Sequence, residues 1–197
     1  MTNLEKKPNS TPGRPRSDQS HRAILQAARE ILEQEGYRAM TIEAIAARAG
    51  VSKKTIYRWW PSKAAVALEA LAAYTDELVP FPDTGSLERD LLTYFEYSIA
   101  GLRSPSGDML RGLAAEAQLD PEFEREFQRS FIVPRKEDLV ALLKRGAQRG
   151  ELAPDIDLHV LADMIYGAKW YRLLLYPSPL DDTFARELVA IIRHLKP

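Results

Sequence analysis

The densest run of groups able to grip an anionic polymer lies in Gly50-Val51-Ser52-Lys53-Lys54-Thr55-Ile56-Tyr57-Arg58-Trp59-Trp60-Pro61-Ser62-Lys63. Its four cations, hydroxyls and indoles are donors for phosphate oxygens and for base-edge acceptors. If Ile56 marks the buried side of a helix, steps of about 100° put Lys54 and Arg58 nearly opposite it and Thr55 and Tyr57 on the flanks. Lys54 then suits guanine acceptors, and Thr55 a base edge or a thymine methyl. Lys53, Tyr57, Arg58 and Lys63 are better placed for phosphates, which position a protein without reading sequence. Thr41, at the start of the preceding helix, offers a hydroxyl and unpaired N–H groups to another phosphate. Ser52, which opens the short helix, completes the set. Trp59 and Trp60 are adjacent and cannot share a face. Trp60 is assigned to the core. Trp59 either reaches a phosphate from the helix edge or packs like its neighbour.

These side chains need a scaffold that presents one short helix. Ile24, Ala27, Ala28, Ile31 and Leu32 recur at three and four, the spacing of one helix face, with Ser17 or Asp18 as cap and Gly36 as terminator. Thr41 caps a second helix whose buried face is Ile42, Ile45, Ala46 and Ala49. Ala44 stands where a capping box would need Glu or Gln, while Glu43 favours the helix dipole. Gly50 suits the left-handed end of that helix. Two short helices joined by a tight Gly-containing turn form a helix-turn-helix when they cross steeply, and Ala46 is small enough to let them. The second helix would then enter the DNA major groove with its N-terminal residues toward the base edges. Ser62 caps a fourth helix through about Leu78, the link to the remainder.

Charge supports the same division. Through Ala70 there are 12 Lys and Arg against 7 Asp and Glu, and beyond it 15 against 21, although the whole chain of 197 residues carries a net charge of only -1. A basic first third beside an acidic remainder points to a polyanion partner for the first part alone. There is no cysteine, so disulfides, thiol catalysis and Cys-bound zinc are excluded. His21, His159 and His194 are too scattered for metal-ligand spacing, and no metal or cofactor is expected. No nucleophile triad, phosphate loop or carboxylate pair marks an enzyme. No apolar run approaches the roughly 18 residues of a membrane span. The polar first residues are unlike a secretory signal, so a cytoplasmic protein without membrane contact is expected.

The expected fold is all-α. Residues 1–17 read as a disordered basic arm, in which Gly13-Arg14-Pro15-Arg16 either enters a minor groove or stays solvated. Residues 18–65 read as a three-helix helix-turn-helix domain. Residues 66–197 read as a helical bundle for effector binding and dimerisation. The breakers of 79–85 open that body, followed by helices near 86–103, 106–118, 121–149, 156–175 and 181–195. Pro134 must kink or split the third of these. Leu161 and Ile165 lie on an apolar stripe of the penultimate helix, and Phe184, Leu188, Ile191 and Leu195 on the last. These are the candidate homodimer seam, with packing inside one chain as the alternative. Tyr94, Met109, Phe127, Met164, Tyr166 and Trp170 are the candidate pocket residues for a mostly apolar small molecule, with Phe95, Tyr97 and Tyr171 as further aromatics. Lys169, Arg111, Glu116 and Gln118 are candidate polar anchors. A pocket filled by side chains would instead favour control by a partner protein or by concentration.

The segment Thr41-Ile42-Glu43-Ala44-Ile45-Ala46 through Lys63 resembles the DNA-binding signature of the tetracycline-repressor (TetR) family of bacterial regulators, over roughly Ile24 to Leu71. It departs where Lys54 replaces a frequent small residue and Trp60 a frequent Phe. Trp170-Tyr171-Arg172-Leu173-Leu174 and the Pro-rich turn after it look like a common C-terminal subgroup. The resemblance implies nine or ten helices, a dimer built on the last two, a ligand cavity in the body, and weaker binding to a palindromic operator in double-stranded DNA once the effector is bound.

Overall fold

The computed structural model describes residues 14–176 and 178–195, with the side chains of 14–17 left aside. The expected arm lies outside them through Gly13, as does the reading of Arg14 and Arg16 as groove-binding side chains. Ten α-helices and no strand occur among the described residues.

Helix α1 (Arg14–Ala39) begins at Arg14, ahead of the expected Ser17 or Asp18 cap. Pro15 is tolerated there because the first turn has no intrahelical use for its N–H. Ile24, Ala27, Ala28, Ile31 and Leu32 are buried, and Gly36 breaks the helix at φ 78° before one last turn. Helix α2 (Ile42–Ala49) starts at Thr41, whose Oγ1 accepts the Ala44 N–H at 3.1 Å. It ends at Gly50 with φ 66° and ψ 33°, a left-handed cap that a β-carbon would strain. Helix α3 (Lys53–Tyr57) is capped by Ser52, and α4 (Lys63–Leu78) by Ser62.

The body holds α5 (Leu87–Arg103), α6 (Pro105–Ala117), α7 (Pro121–Phe127), α8 (Val133–Gln148), α9 (Leu158–Trp170) and α10 (Asp182–Arg193). Pro134 resolves the long helix expected over 121–149 into two. A π turn at Gln128–Ile132 separates α7 from α8 and leaves Pro134 in the first turn of α8. A second π turn, Tyr171–Leu175, closes α9.

Buried side chains form two clusters. One joins α1–α4 to α6, α7 and the first π turn through Leu113, Phe123, Phe127 and Phe131. The other joins α5, α8, α9 and α10. The first runs through residue 65 without a break, because Val66, Ala67, Leu68 and Leu71 of α4 all contribute to it. No helix among the described residues is long and apolar enough to cross a membrane.

Candidate nucleic-acid interface and effector cavity

Helices α2 and α3 pack with Ile45, Ala46 and Ile56 buried. Val51 N–H donates to the Ala46 carbonyl at 3.0 Å, which closes the turn over Gly50. Burying Ile56 turns Lys53, Lys54, Tyr57 and Arg58 to solvent, with Thr55 half-exposed. Ser52 and Thr55 hydroxyls lie 2.9 Å apart at the start of α3. Thr41 and Ser52 both spend their side-chain oxygens on caps while remaining exposed.

The cations differ in commitment. Lys53 donates to Glu43 at 2.9 Å on the surface, which lowers the Glu43 pKa and raises that of Lys53. Arg58 lies 4.8 Å from the Trp59 ring centre. Lys54 is exposed and enters no ion pair among the described residues. Lys63 departs from expectation. Its ammonium donates to the carbonyls of Tyr37 at 3.2 Å and Met40 at 3.0 Å and lies over the Tyr37 ring, so it ties the end of α1 to the start of α4 instead of facing outward. Trp60 is buried with its indole N–H on Glu69 at 2.6 Å, and Trp59 is half-buried edge-on to Trp60 and His21.

The body holds a mostly apolar, partly open cavity of about 130 Å³. Its walls come from Leu71 and Thr75 of α4, Tyr94 and Ser98 of α5, Leu110 of α6, Phe131 of the π turn, Arg135 of α8, and Tyr166, Lys169 and Trp170 of α9. Of the candidate pocket residues, Tyr94, Tyr166 and Trp170 line this cavity, as does the candidate anchor Lys169. The other three pocket residues are corrected by helix phase. Met109 points into the core while its neighbour Leu110 meets the cavity, and Phe127 stacks behind Phe131 at 5.6 Å. Met164 is 63% exposed on the far side of α9. Arg111 pairs with Asp108, Glu116 with Arg38, and Gln118 caps α6, so none of these three reaches the cavity. Phe95 is core, and Tyr97 and Tyr171 face solvent.

Lys169 is buried. It donates to the Tyr94 hydroxyl at 2.9 Å and lies against the Tyr94 and Tyr166 rings. Burial, reinforced by the nearby Arg135 charge, brings its pKa from 10.5 down to about 7. Burial pushes the Tyr166 hydroxyl up to about 12 and the Tyr94 hydroxyl upward as well. Tyr166 donates to the Arg135 carbonyl at 2.8 Å. Arg135 had no signal in the sequence, where a charged residue after a proline reads as solvated. Among the described residues no group of three His, Asp or Glu could hold a metal ion.

The expected dimer seam is also corrected. Leu161, Ile165 and Phe184 are buried inside the chain against α5 and α8, and Leu188 and Leu195 are half-buried beside them. Only Ile191, at 60%, is well exposed. The exposed apolar face instead carries Val160 and Met164 of α9 and Tyr171 and Leu174 of the π turn that follows it. Its spacing of four, seven and three was readable, but α9 is apolar on two sides and the sequence does not say which one faces inward.

A capped helix-turn-helix joined by one helix to a helical body with a cavity is the architecture of a helix-turn-helix DNA-binding protein. Comparison with known proteins gives the family. Residues 24–70 match the model of the TetR family of bacterial regulatory proteins, and residues 81–192 match a tetracycline-repressor-like C-terminal domain. The chain is 40% identical over 177 residues to the HTH-type transcriptional regulator YdeS of Bacillus subtilis, covering 90% of this chain and 89% of that one. It is 30% identical to a protein of Mycobacteroides abscessus described as the DNA-binding transcriptional repressor TetR, covering 85% and 88%. The crystal structure of the TetR family regulator SCO0332 superposes with a TM-score of 0.81 at 33% identity, covering 89% and 97%. The chain belongs to the TetR family and is a helix-turn-helix DNA-binding regulator of transcription, not an enzyme.

Proposed function

We propose that the chain is a homodimeric repressor that binds a palindromic operator through α3 and leaves it when a small molecule fills the cavity. The observation that carries this reading is the double duty of α4. Its first half packs along α1 in the helix-turn-helix core, and its second half gives Leu71 and Thr75 to the cavity wall. A ligand that fits one position of α4 better than another therefore shifts the recognition helices, and without such a difference it shifts nothing. A coupling of about 1–3 kcal/mol is typical of such systems. The cavity's open volume favours a small-molecule effector over control by concentration alone.

Lys54 and Thr55 are assigned to base edges. Lys53, Tyr57, Arg58 and Trp59 are assigned to phosphates, joined by Thr41 and Ser52 at the two helix starts. Two copies must hold α3 and its mate about 34–36 Å apart, or a multiple of that. The exposed apolar face of α9, with Ile191 of α10 and the half-buried Leu188 and Leu195 at its edge, supports a four-helix interface about a two-fold axis. A regulator works where the DNA is, which supports assigning the chain to the bacterial cytoplasm. Its relative in Mycobacteroides abscessus, described as a repressor, supports the sign of the control.

Selection of bound sequences from a random DNA pool tests the reading. A palindromic motif is expected. Salt-sensitive binding with no enriched motif, or no binding by ligand-free protein, would overturn sequence-specific dimeric recognition.

A further inference from the structure

The polar end of the cavity has an electrostatic imbalance. Lys169 from α9 and Arg135 from α8 are 5% and 7% exposed, and both border the cavity. Lys169 has a phenol, not a carboxylate, as its hydrogen-bond acceptor. Arg135 Nη2 lies 2.5 Å from the exposed Asp76 carboxylate but off hydrogen-bond alignment, so this buried nitrogen has no hydrogen-bond partner among the described residues. The acid on the cavity wall, Asp163, is exposed and held by Lys136 at 2.7 Å. Two cations thus border an apolar space, Arg135 paired at its edge with Asp76 and Lys169 with no carboxylate partner. Burying a cation without a partner is costly, and an anion placed between the two offsets that cost with charge-assisted hydrogen bonds. The same pair opposes a cationic ligand.

Size narrows the class. A cavity of roughly 150 Å³ lined by aliphatic and aromatic side chains holds one benzene, and this one is about 130 Å³. We propose that the cavity binds a small apolar carboxylate, its anionic group between Lys169 and Arg135 and its hydrocarbon or aromatic body against Leu71, Leu110, Phe131 and Leu173. The inference deepens the proposed effector control and rests on that reading only for its consequence on DNA. Seated this way, the body of the ligand touches α4 while the carboxylate is fixed by α8 and α9, so one molecule bridges the two buried clusters.

Calorimetric titration of the full chain with benzoate and butanoate, each against its neutral amide, and with benzylamine, tests the assignment. Both acids are expected to bind at least about tenfold more tightly than their amides, a difference of about 1.4 kcal/mol. The preference should vanish in Lys169→Met, which keeps the length and apolar body of the side chain. Should that variant fail to fold by circular dichroism, the acid-against-amide comparison on the unaltered chain decides. Amides or benzylamine binding as tightly as the acids, no binding by either acid, or a preference that survives in folded Lys169→Met would each overturn the proposal. Operator affinity is measured in parallel. An acid that binds with the predicted preference but leaves operator affinity unchanged overturns the effector-controlled reading and leaves the anion site standing.

Discussion

Helix α3 buries Ile56 and turns its cations to water, whereas the cavity buries its cations and surrounds them with apolar walls. The α3 cations are stable wherever they point, so their placement costs the fold little and they wait for phosphates at the surface. Lys169 and Arg135 are held by five helices that must all form before the side chains meet. One site is written on a single turn of chain. The other exists only as tertiary structure. Helix α9 contains the contrast within itself, since Leu161 and Ile165 face the core, Lys169 faces the cavity, and Val160 and Met164 face out.

The largest effect should separate the two faces of α9. Leu161→Asp puts a carboxylate where the residue is 4% exposed, and a loss of more than about 4 kcal/mol, read as failure to fold, is expected. Met164→Asp, at a site 63% exposed, should leave the chain folded but monomeric by sedimentation. Losing the linkage between half-sites should then lower operator affinity by about 10²-fold or more. A dimeric Met164→Asp with unchanged operator binding would move the interface elsewhere.

The next effect tests the cost of the cavity's charge. In the unfolded chain Lys169 keeps its ordinary 10.5, and in the fold it falls to about 7. Between these values the unfolded state binds more protons, so this group makes stability rise with pH by at most about 1.4 kcal/mol per unit. Below about 7 the penalty of burying the charge is present in full, and above 10.5 it is gone. The charged or titratable neighbours are Tyr94 on α5, Tyr166 and Asp163 on α9, Arg135 and Lys136 on α8 and Asp76 on α4. Taking the difference between variant and parent isolates Lys169 from them. Lys169→Met should therefore stabilise the chain by a few kcal/mol at mildly acid pH, an advantage that shrinks as pH rises toward 10.5. Urea unfolding across pH reads this difference directly. A difference that does not change with pH would mean that Lys169 is not desolvated.

Substitution at α3 should do less to stability and more to specificity. Lys54→Ala is expected to leave unfolding unchanged and to cost about 1–3 kcal/mol of operator affinity, with relaxed preference at one base pair. A uniform loss across all sequences would reassign Lys54 to a phosphate.

The contrast also explains what was legible in the sequence. Thr41, Gly50, Ser52 and Ile56 act within a few residues of themselves, through caps, a positive φ and one buried side chain, so type and spacing identified the helix-turn-helix. The helices of the body were legible for the same reason, down to the break that Pro134 forces. Pocket membership turns on which helix face meets which neighbour. A shift of one residue, about 100°, separates Met109 in the core from Leu110 on the cavity wall. Lys169 was one of four candidate polar anchors with nothing to rank it above the others, while Arg135 sits among polar residues whose burial only the assembled bundle creates. Nor does the sequence of α9 rank its two apolar stripes, because both are hydrophobic and only one of them meets α5 and α8.

The smallest expected effect concerns Lys63, where proximity to α3 suggested a phosphate contact and the fold gives its protons to two carbonyls. The two roles leave different traces. A lysine that ties Tyr37 and Met40 to the start of α4 contributes to stability, about 0.5–1.5 kcal/mol for a partly exposed pair of hydrogen bonds. One that neutralises a phosphate contributes about one unit to the slope of log affinity against log salt and nothing to unfolding. Lys63→Met should therefore lower the unfolding midpoint while the salt slope on the selected operator stays fixed. A slope reduced by about one with stability unchanged would mean that Lys63 releases its carbonyls when DNA arrives. The boundary between the two regions would then run on the other side of this residue.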